Sequence, residues 1–412
     1  MGRPATFAGR STSLRSRHAL VLVGLFVASL ALRPQIIGVG PLLPQVKADL
    51  AISHTVEGLL STIPVLCMGL FAPVAALLAA RIGARAAIAG AVTLIATGGM
   101  LRVVSPHAAV LLLFTLPVGI GIAIAGTLMP MAVKERFSHR PGFATGVYAA
   151  GIQTGSTIAA ALAVPLAHWH GGWRFSLLVF SVAMVLLVPL WLLASRGSVE
   201  RPLKVVRPRL PWRSATAWRL AAVFALVGMT FYGISHWLAN AYVEHGWSEH
   251  RAGWLVTVFQ AATVPSGLLI PWLADRGGSR RVYMVAAALL MCGALVGVIE
   301  APGAAWLWVI LLGWGNGSMF GMVMTLPLDV SDRPADVGAT AAMMLGVGYT
   351  ISAMLPFTLG AIRDATGSFT DALWVLVGIT AAAAAACSTI TRERLRRGVG
   401  PARADGGPAS AG

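Results

Sequence analysis

The sequence predicts an all-α membrane protein in which twelve transmembrane helices form two parallel six-helix repeats. Three observations carry this: the excess of apolar residues, the spacing of the apolar runs, and a self-similarity between the two halves of the chain. Of 412 residues, 57% are hydrophobic and 11% charged, and the mean hydropathy is +0.77. A water-soluble chain of this length cannot solvate so much apolar surface, whereas a bilayer accepts it.

A hydrocarbon core of about 30 Å takes about 20 apolar residues of helix per crossing. Apolar runs bounded by charge, Gly or Pro fall at 19–43, 56–80, 86–104, 109–133, 142–166, 174–194, 217–243, 251–274, 282–299, 304–328, 337–361 and 370–391. The N-terminus imitates two targeting signals. Met1-Gly2 with Thr6 has the loose pattern for myristoylation, and Arg15 and Arg17 before Ala19–Leu32 resemble a signal peptide ending at Ser29-Leu30-Ala31. The apolar run continues past Arg33-Pro34 to Leu43, so it is taken as the first uncleaved span.

The cations give an orientation. Lys47, Arg102, Arg174, Arg251 and Arg363 fall on one side and Arg33 lies within a span; the rest of the 31 Lys and Arg fall on the side of the termini. This asymmetry places both termini in the cytoplasm. It also explains the formal charge of +16 without nucleic acid, since the excess sits in short connectors between spans.

Sliding the chain against itself by 195 positions superposes Gly38 on Gly233, Gly58 on Gly253, Gly98 on Gly293, Gly126 on Gly321, Thr145 on Thr340 and Gly151 on Gly346. The same ungapped diagonal carries an Arg-x-Gly-x-Arg loop, Arg81, Gly83 and Arg85 on Arg276, Gly278 and Arg280. An offset of six helices preserves topology, so the halves are parallel repeats about an axis along the membrane normal. The organisation expected is a tail 1–18, a first half 19–194, a linker 195–216 rich in Arg and Pro, a second half 217–391 and a tail 392–412.

Several polar groups interrupt the spans. Arg33 sits in mid-span, and an uncompensated cation there costs at least about 2.5–3.5 kcal/mol on insertion. Pro34 follows it and removes a backbone donor, which loosens the helix at that point. A cation at this depth points to an anionic or strongly polar solute, the competing reading being an arginine bonded to carbonyls. Span 7 carries Tyr232, His236 and Asn240 in one stripe, with Trp237 beside it. Gln153 and Tyr148 in span 5, Gln260 in span 8, Asn316 in span 10 and Tyr349 in span 11 are further in-span polar groups. The candidate solute site is Arg33, Gln153, Tyr232, His236, Trp237, Asn240, Gln260 and Asn316. Gly151 with Gly155, and Gly317 with Gly321, have the spacing of close helix approach.

The loop Asp275-Arg276-Gly277-Gly278-Ser279-Arg280 resembles the signature loop of the major facilitator superfamily, in which an acid and following cations lock the halves on the cytoplasmic side. The first-half counterpart keeps Arg81 and Arg85 but has Ala80 in place of the acid. Asp329, Asp332 and Asp336, between spans 10 and 11, are expected to pair with Arg81 and Arg85 and to favour an outward-open state. This cytoplasmic gate comprises Arg81, Arg85, Asp275, Arg276, Arg280, Asp332 and Asp336; the alternative is that its cations only set topology.

A narrower resemblance follows from Leu32-Arg33-Pro34 continuing through Val39-Gly40-Pro41-Leu42-Leu43-Pro44, from Phe231-Tyr232-Gly233 with Trp237-Leu238, and from Phe259-Gln260 leading to Leu273-Ala274-Asp275-Arg276. These look like the cyanate/2-nitroimidazole transporter (CynX/NimT) family, over essentially all twelve spans. Ala31 departs from the Asn that this family often has before Leu-Arg-Pro. The resemblance implies alternating access for small anions or small polar molecules, in a bacterial inner membrane.

The rival functions make different demands. A proton-coupled drug exporter is disfavoured because span 5 lacks a Gly-Pro signature and no Asp or Glu is expected deep in a span, Glu57 and Asp329 standing at helix ends. A transporter-derived sensor would carry an appended signalling domain, and an enzyme would need a nucleophile or metal cluster. Cys67, Cys292 and Cys387 lie in apolar runs without paired spacing, and the loop histidines His168, His170, His245 and His250 lack nearby acids. No cofactor or metal is expected, and the partners expected are a small solute and lipid around a monomer.

Overall fold

The structure, a computed structural model, describes residues 22–24, 26–136, 141–195, 210–276, 279–330 and 334–391. Among these, eleven helices are long and apolar enough to cross a membrane, and one bent pair brings the number to twelve. Span 1 covers Leu22–Leu50, and span 2 is His54–Leu70 with Ala72–Ile82, bent by 55°. Spans 3 to 6 are Ala84–Val103, Ala108–Arg136, Pro141–Trp169 and Gly172–Ala194. Spans 7 to 10 are Ala215–Glu244, Glu249–Asp275, Arg280–Glu300 and Ala305–Val330. Span 11 is Pro334–Ser352 with Met354–Thr366, and span 12 is Phe369–Ser388.

Helix bounds repeat along the sequence diagonal. Ser53 caps span 2 by accepting from the amide of Val56, and Ser248, its repeat mate, caps span 8 by accepting from Arg251. Both serines sit at the N-cap, where a hydroxyl satisfies an amide that the helix leaves unpaired.

Span 1 departs from its mate. Span 7 runs unbroken for 30 residues, whereas span 1 is interrupted at 31–33, resumes as Pro34–Ile37, passes through a 3-10 turn at Gly40–Leu42 and ends as Leu43–Leu50. Pro34 and Pro41 each stand in the first turn of a resumed piece, where a missing amide costs least. The run also extends beyond the expected Leu43, so Lys47 lies in its last turn.

Two sequence expectations are corrected. Arg102 is not a loop residue: it belongs to the last turn of span 3 and is fully buried. Its Nη1 donates to the carbonyl of Gln35 at 3.2 Å, at the break in span 1. Arg33 is therefore not the lone arginine inside the bundle. Glu57 does lie in the first turn of span 2, but its side chain is 0% exposed.

The halves meet along spans 2 and 11 and spans 5 and 8, with span 7 against the 3-10 turn of span 1. Small residues permit these approaches. A Cβ on Gly40 would stand 2.5 Å from the Ser235 carbonyl oxygen, and one on Gly58 the same distance from that of Pro356. The paired glycines do what their spacing predicted: Gly151 and Gly155 lie on the carbonyls of Phe26 and Leu30, and Gly317 and Gly321 lie on those of Thr263 and Gly267. Gly155→Leu should therefore lower the thermal midpoint of the detergent-solubilised protein, by overpacking worth about 1–3 kcal/mol. Gly90→Ala, at a position with nothing within 4 Å, should leave it unchanged.

Candidate functional site at the meeting of the halves

The break in span 1 sets Arg33 at its turn, next to the second half. Its Nη1 donates to the Tyr232 hydroxyl at 2.6 Å. The Cζ lies 5.6 Å from the ring centroids of both Phe231 and Tyr232. Tyr148 and Tyr349 are also close enough to interact with it electrostatically. Arg33 is 7% exposed, and no ion pair among the described residues includes it. A buried guanidinium held by phenols and ring faces keeps its positive charge unneutralised.

Arg102 offers the contrast. Its only bonds are to Gln35, through the main-chain carbonyl and Oε1, and its Nε and Nη2 have no hydrogen-bond partner among the described residues. Gln35 in turn donates to the Ser181 hydroxyl at 2.9 Å. This network ties spans 1, 3 and 6 of one half together, away from the second half.

The other predicted residues fall into separate groups. Gln153 donates to the Thr263 hydroxyl, joining spans 5 and 8 across the halves. Gln260 donates to the Ser235 hydroxyl at 3.0 Å and leaves its Oε1 unpartnered. Asn316 and Asn240 are buried with Nδ2 and Oδ1 unpartnered. His236 Nε2 meets the main-chain carbonyl of Glu57 at 3.1 Å, while its Nδ1 has no partner. Trp237 donates to the Pro356 carbonyl and stacks edgewise on His54 and His236, so it packs the interface rather than the arginine. The sequence did not single out Phe231 for the site, or Met68, whose sulfur accepts from the Tyr232 hydroxyl at 3.9 Å, and it placed Tyr148 and Tyr349 within spans without bringing them to Arg33. The aromatic run Phe231-Tyr232 was visible, but which face of span 7 meets span 1 was not.

The end of the bundle away from the termini is closed by bonds between the halves. The Asp364 carboxylate, from span 11, accepts from the amides of His54 and Thr55 at 3.0 and 2.8 Å and from the Thr55 hydroxyl at 2.5 Å. It thus caps the N-terminus of a helix in the other half, where the helix dipole favours an anion. Gln45 donates to Glu249 at 2.7 Å, and Thr62 to the Ala353 carbonyl at 2.6 Å.

Near the termini the described gate cations bond within their own halves. Arg85 donates to Ser195 and to the Leu192 carbonyl, and Arg280 donates to Asp329, each within its own half. Arg276 stacks over Trp272, and Arg81 is exposed. Asp336 lies in the first turn of the first segment of span 11; Asp332 and the side chain of Asp275 lie outside what the structure describes. In this structure Arg85 thus bonds to span 6 and to the residue that follows it.

Because the Asp364 cap holds only while this end is closed, Asp364→Asn should weaken closure by about 1 kcal/mol, a roughly fivefold change in the open-to-closed ratio. Distances between spin labels at exposed positions of spans 2 and 11 near this end should shift toward the separated population correspondingly.

Comparison with known proteins places this architecture. The model of the Major Facilitator Superfamily matches residues 21–353 and 238–411. The chain is 31% identical to the 2-nitroimidazole transporter of Escherichia coli (strain K12), over 87% of this chain and 92% of that protein. It is 30% identical to the cyanate transport protein CynX of the same strain, over 85% and 90%. Among solved structures, a D-xylose-proton symporter superposes with a TM-score of 0.72 at 14% identity, covering 92% of this chain and 98% of that one, which shows the fold alone. Two six-helix repeats meeting around buried polar groups, with this similarity along nearly the whole chain, make the protein a multi-pass membrane transporter of the Major Facilitator Superfamily, related to its cyanate and 2-nitroimidazole transporters.

Proposed function

We propose that the chain carries a small anionic or polar solute across a bacterial inner membrane by alternating access, as a monomer with both termini in the cytoplasm. The observation that carries this is Arg33: a buried guanidinium, at the seam of the two halves, bonded to a phenol and without a carboxylate partner among the described residues. In a site of low dielectric constant such a charge attracts an anion strongly, and the cargo supplies the missing counter-charge. Phe231 and Tyr232 give the guanidinium ring faces to lie against, which orients its free edge. Cyanate, the small anion in the name of one relative, fits a centre of this kind.

The residues serve different moments of the cycle. Arg33 and Tyr232 meet the solute. Gln153, Gln260 and Asn316, with His236 and Asn240, supply neighbouring polar atoms, several of them still unpartnered. Trp237 seals the side away from the termini. When that side parts, the loops near the termini close instead, and Arg81 and Arg85 pair with Asp332 and Asp336 across the halves while Asp275, Arg276 and Arg280 hold the second loop.

Uptake into proteoliposomes over a panel of small anions and neutral analogues tests the reading. Arg33→Ala should reduce anion uptake about 10- to 100-fold, the worth of one or two charge-assisted hydrogen bonds. Arg33→Lys should retain part of it, and neutral analogues should be affected less. Parental anion uptake in Arg33→Ala would remove the basis for the charge argument. For the gate, Asp332→Arg should shift the conformational balance toward the state closed away from the termini, read as altered distances between spin labels on the two loops.

A further inference from the structure

One turn of span 7 beyond the residue that holds Arg33, a set of ionisable groups is buried between the halves. Lys47 Nζ lies 2.6 Å from His54 Nε2, and His54 Nδ1 lies 2.6 Å from Glu57 Oε2. Lys47 is half-buried, and the Glu57 side chain is completely buried, with Oε1 lacking any hydrogen-bond partner among the described residues. The main-chain carbonyl of Glu57 meets His236. The other groups facing this set are Asp364, which caps the helix, and the rings of Trp237 and Phe369, which stack on His54. Arg363 lies on the far ring, Phe369.

The donors fix the proton positions. Lys47 has only donors, so His54 Nε2 must accept, and Nδ1 then carries the hydrogen given to Glu57. A neutral imidazole between an ammonium and a carboxylate is a proton relay: Nε2 takes a proton from Lys47 as Nδ1 releases one to Glu57 Oε2, and Lys47 regains its proton from water. One proton passes from the water outside to the Glu57 carboxylate. His54 is left as its Nε2–H tautomer with Nδ1 accepting from the Glu57 acid, and Lys47 turns toward water as it regains its proton. The ring returns to the Nδ1–H form when Glu57 gives the proton back along the same path. The imidazolium cannot be the resting store, because its Nε2–H would face the Lys47 ammonium.

Burial of Glu57 depends on the halves being together. Gly58 packs on the backbone of Pro356 and Phe357, and Gly360 on the His54 carbonyl, so separation of spans 2 and 11 would bring water to the carboxylate. Closing this end on a charged Glu57 buries an unpaired charge on Oε1, whereas closing on the protonated acid does not. Protonation and closure therefore favour each other, the reciprocity that couples any bound ligand to a conformational equilibrium. A neutral Glu57 also removes a negative charge from the approach to Arg33. We propose that Glu57 is a proton-binding site, loaded through Lys47 and His54 and sealed by contact between spans 2 and 11, which couples solute movement to that of a proton. This rests on the alternating-access reading of the chain.

The test uses the full chain in lipid nanodiscs without solute, with spin labels on spans 2 and 11 at the closed end. In the parent the closed fraction should rise as pH falls from neutral to acid. Glu57→Gln should hold the acid distribution at every pH, and Glu57→Asp, which keeps an ionisable group, should retain a response. His54→Gln should slow relaxation after a pH jump while leaving the midpoint where it was. A parent that does not respond to pH, a Glu57→Gln chain that responds as the parent does, or a His54→Gln chain that relaxes at the parental rate would each overturn the proposal. Arg33→Ala separates the two readings: it should keep the pH response while losing anion counterflow in proteoliposomes, so a failure of the anion argument leaves the proton argument standing.

Discussion

The structure is organised around a guanidinium that is kept from neutralising partners. Arg33 could be silenced by one carboxylate, and the bundle instead gives it a phenol and two aromatic faces. Such a charge is tolerated within hydrocarbon depth only where protein or water surrounds it. The broken backbone of span 1, the glycines that let span 7 lie on it, and the burial at the seam all follow from that requirement. Among the described residues two arginines are buried, and they divide the work. Arg102 bonds to Gln35 in the short helical piece after the gap in span 1 and so helps hold the broken segment in place, leaving Arg33 to face the other half.

Closure away from the termini is built from weak and reversible contacts. A carboxylate at a helix start, a glutamine on a glutamate and a hydroxyl on a carbonyl each contribute on the order of 1 kcal/mol. An interface of this kind can part and reform without unfolding either half, whereas a large apolar contact would lock it. The Asp364 cap is suited to this, since it satisfies amides that water can satisfy as well once the halves separate.

Much of the architecture was legible in the sequence, because apolar run length and cation bias are properties of a chain in a bilayer rather than of its tertiary packing. The 195-residue diagonal gave the repeat before any helix was placed, and the capping serines Ser53 and Ser248 lie on it. What failed was depth. Glu57 looks superficial because it stands four residues from the cap of span 2, and only the covering by span 11 buries it. Arg102 looks like a loop cation because it is two residues from the end of its helix as read from the sequence, and only the bend of span 1 gives it a carbonyl. The stripe of Tyr232, His236 and Asn240 is real, but its members meet different neighbours along the axis, Arg33 in one case and Glu57 in another. Linear spacing shows which residues share a face; it does not show what each faces.

The unequal condition of the two repeat mates has a mechanical consequence. Span 7 keeps an unbroken ladder of amide-to-carbonyl bonds and behaves as a stiff rod of about 45 Å at 1.5 Å per residue. Span 1 has gaps in that ladder around Arg33, and span 2 bends by 55°. Compliance thus lies beside Arg33 in the first half, while its repeat mate is unbroken. With the solute captured at Arg33 as proposed, spans 1 and 2 will deform first, and span 7 will follow as a rigid lever.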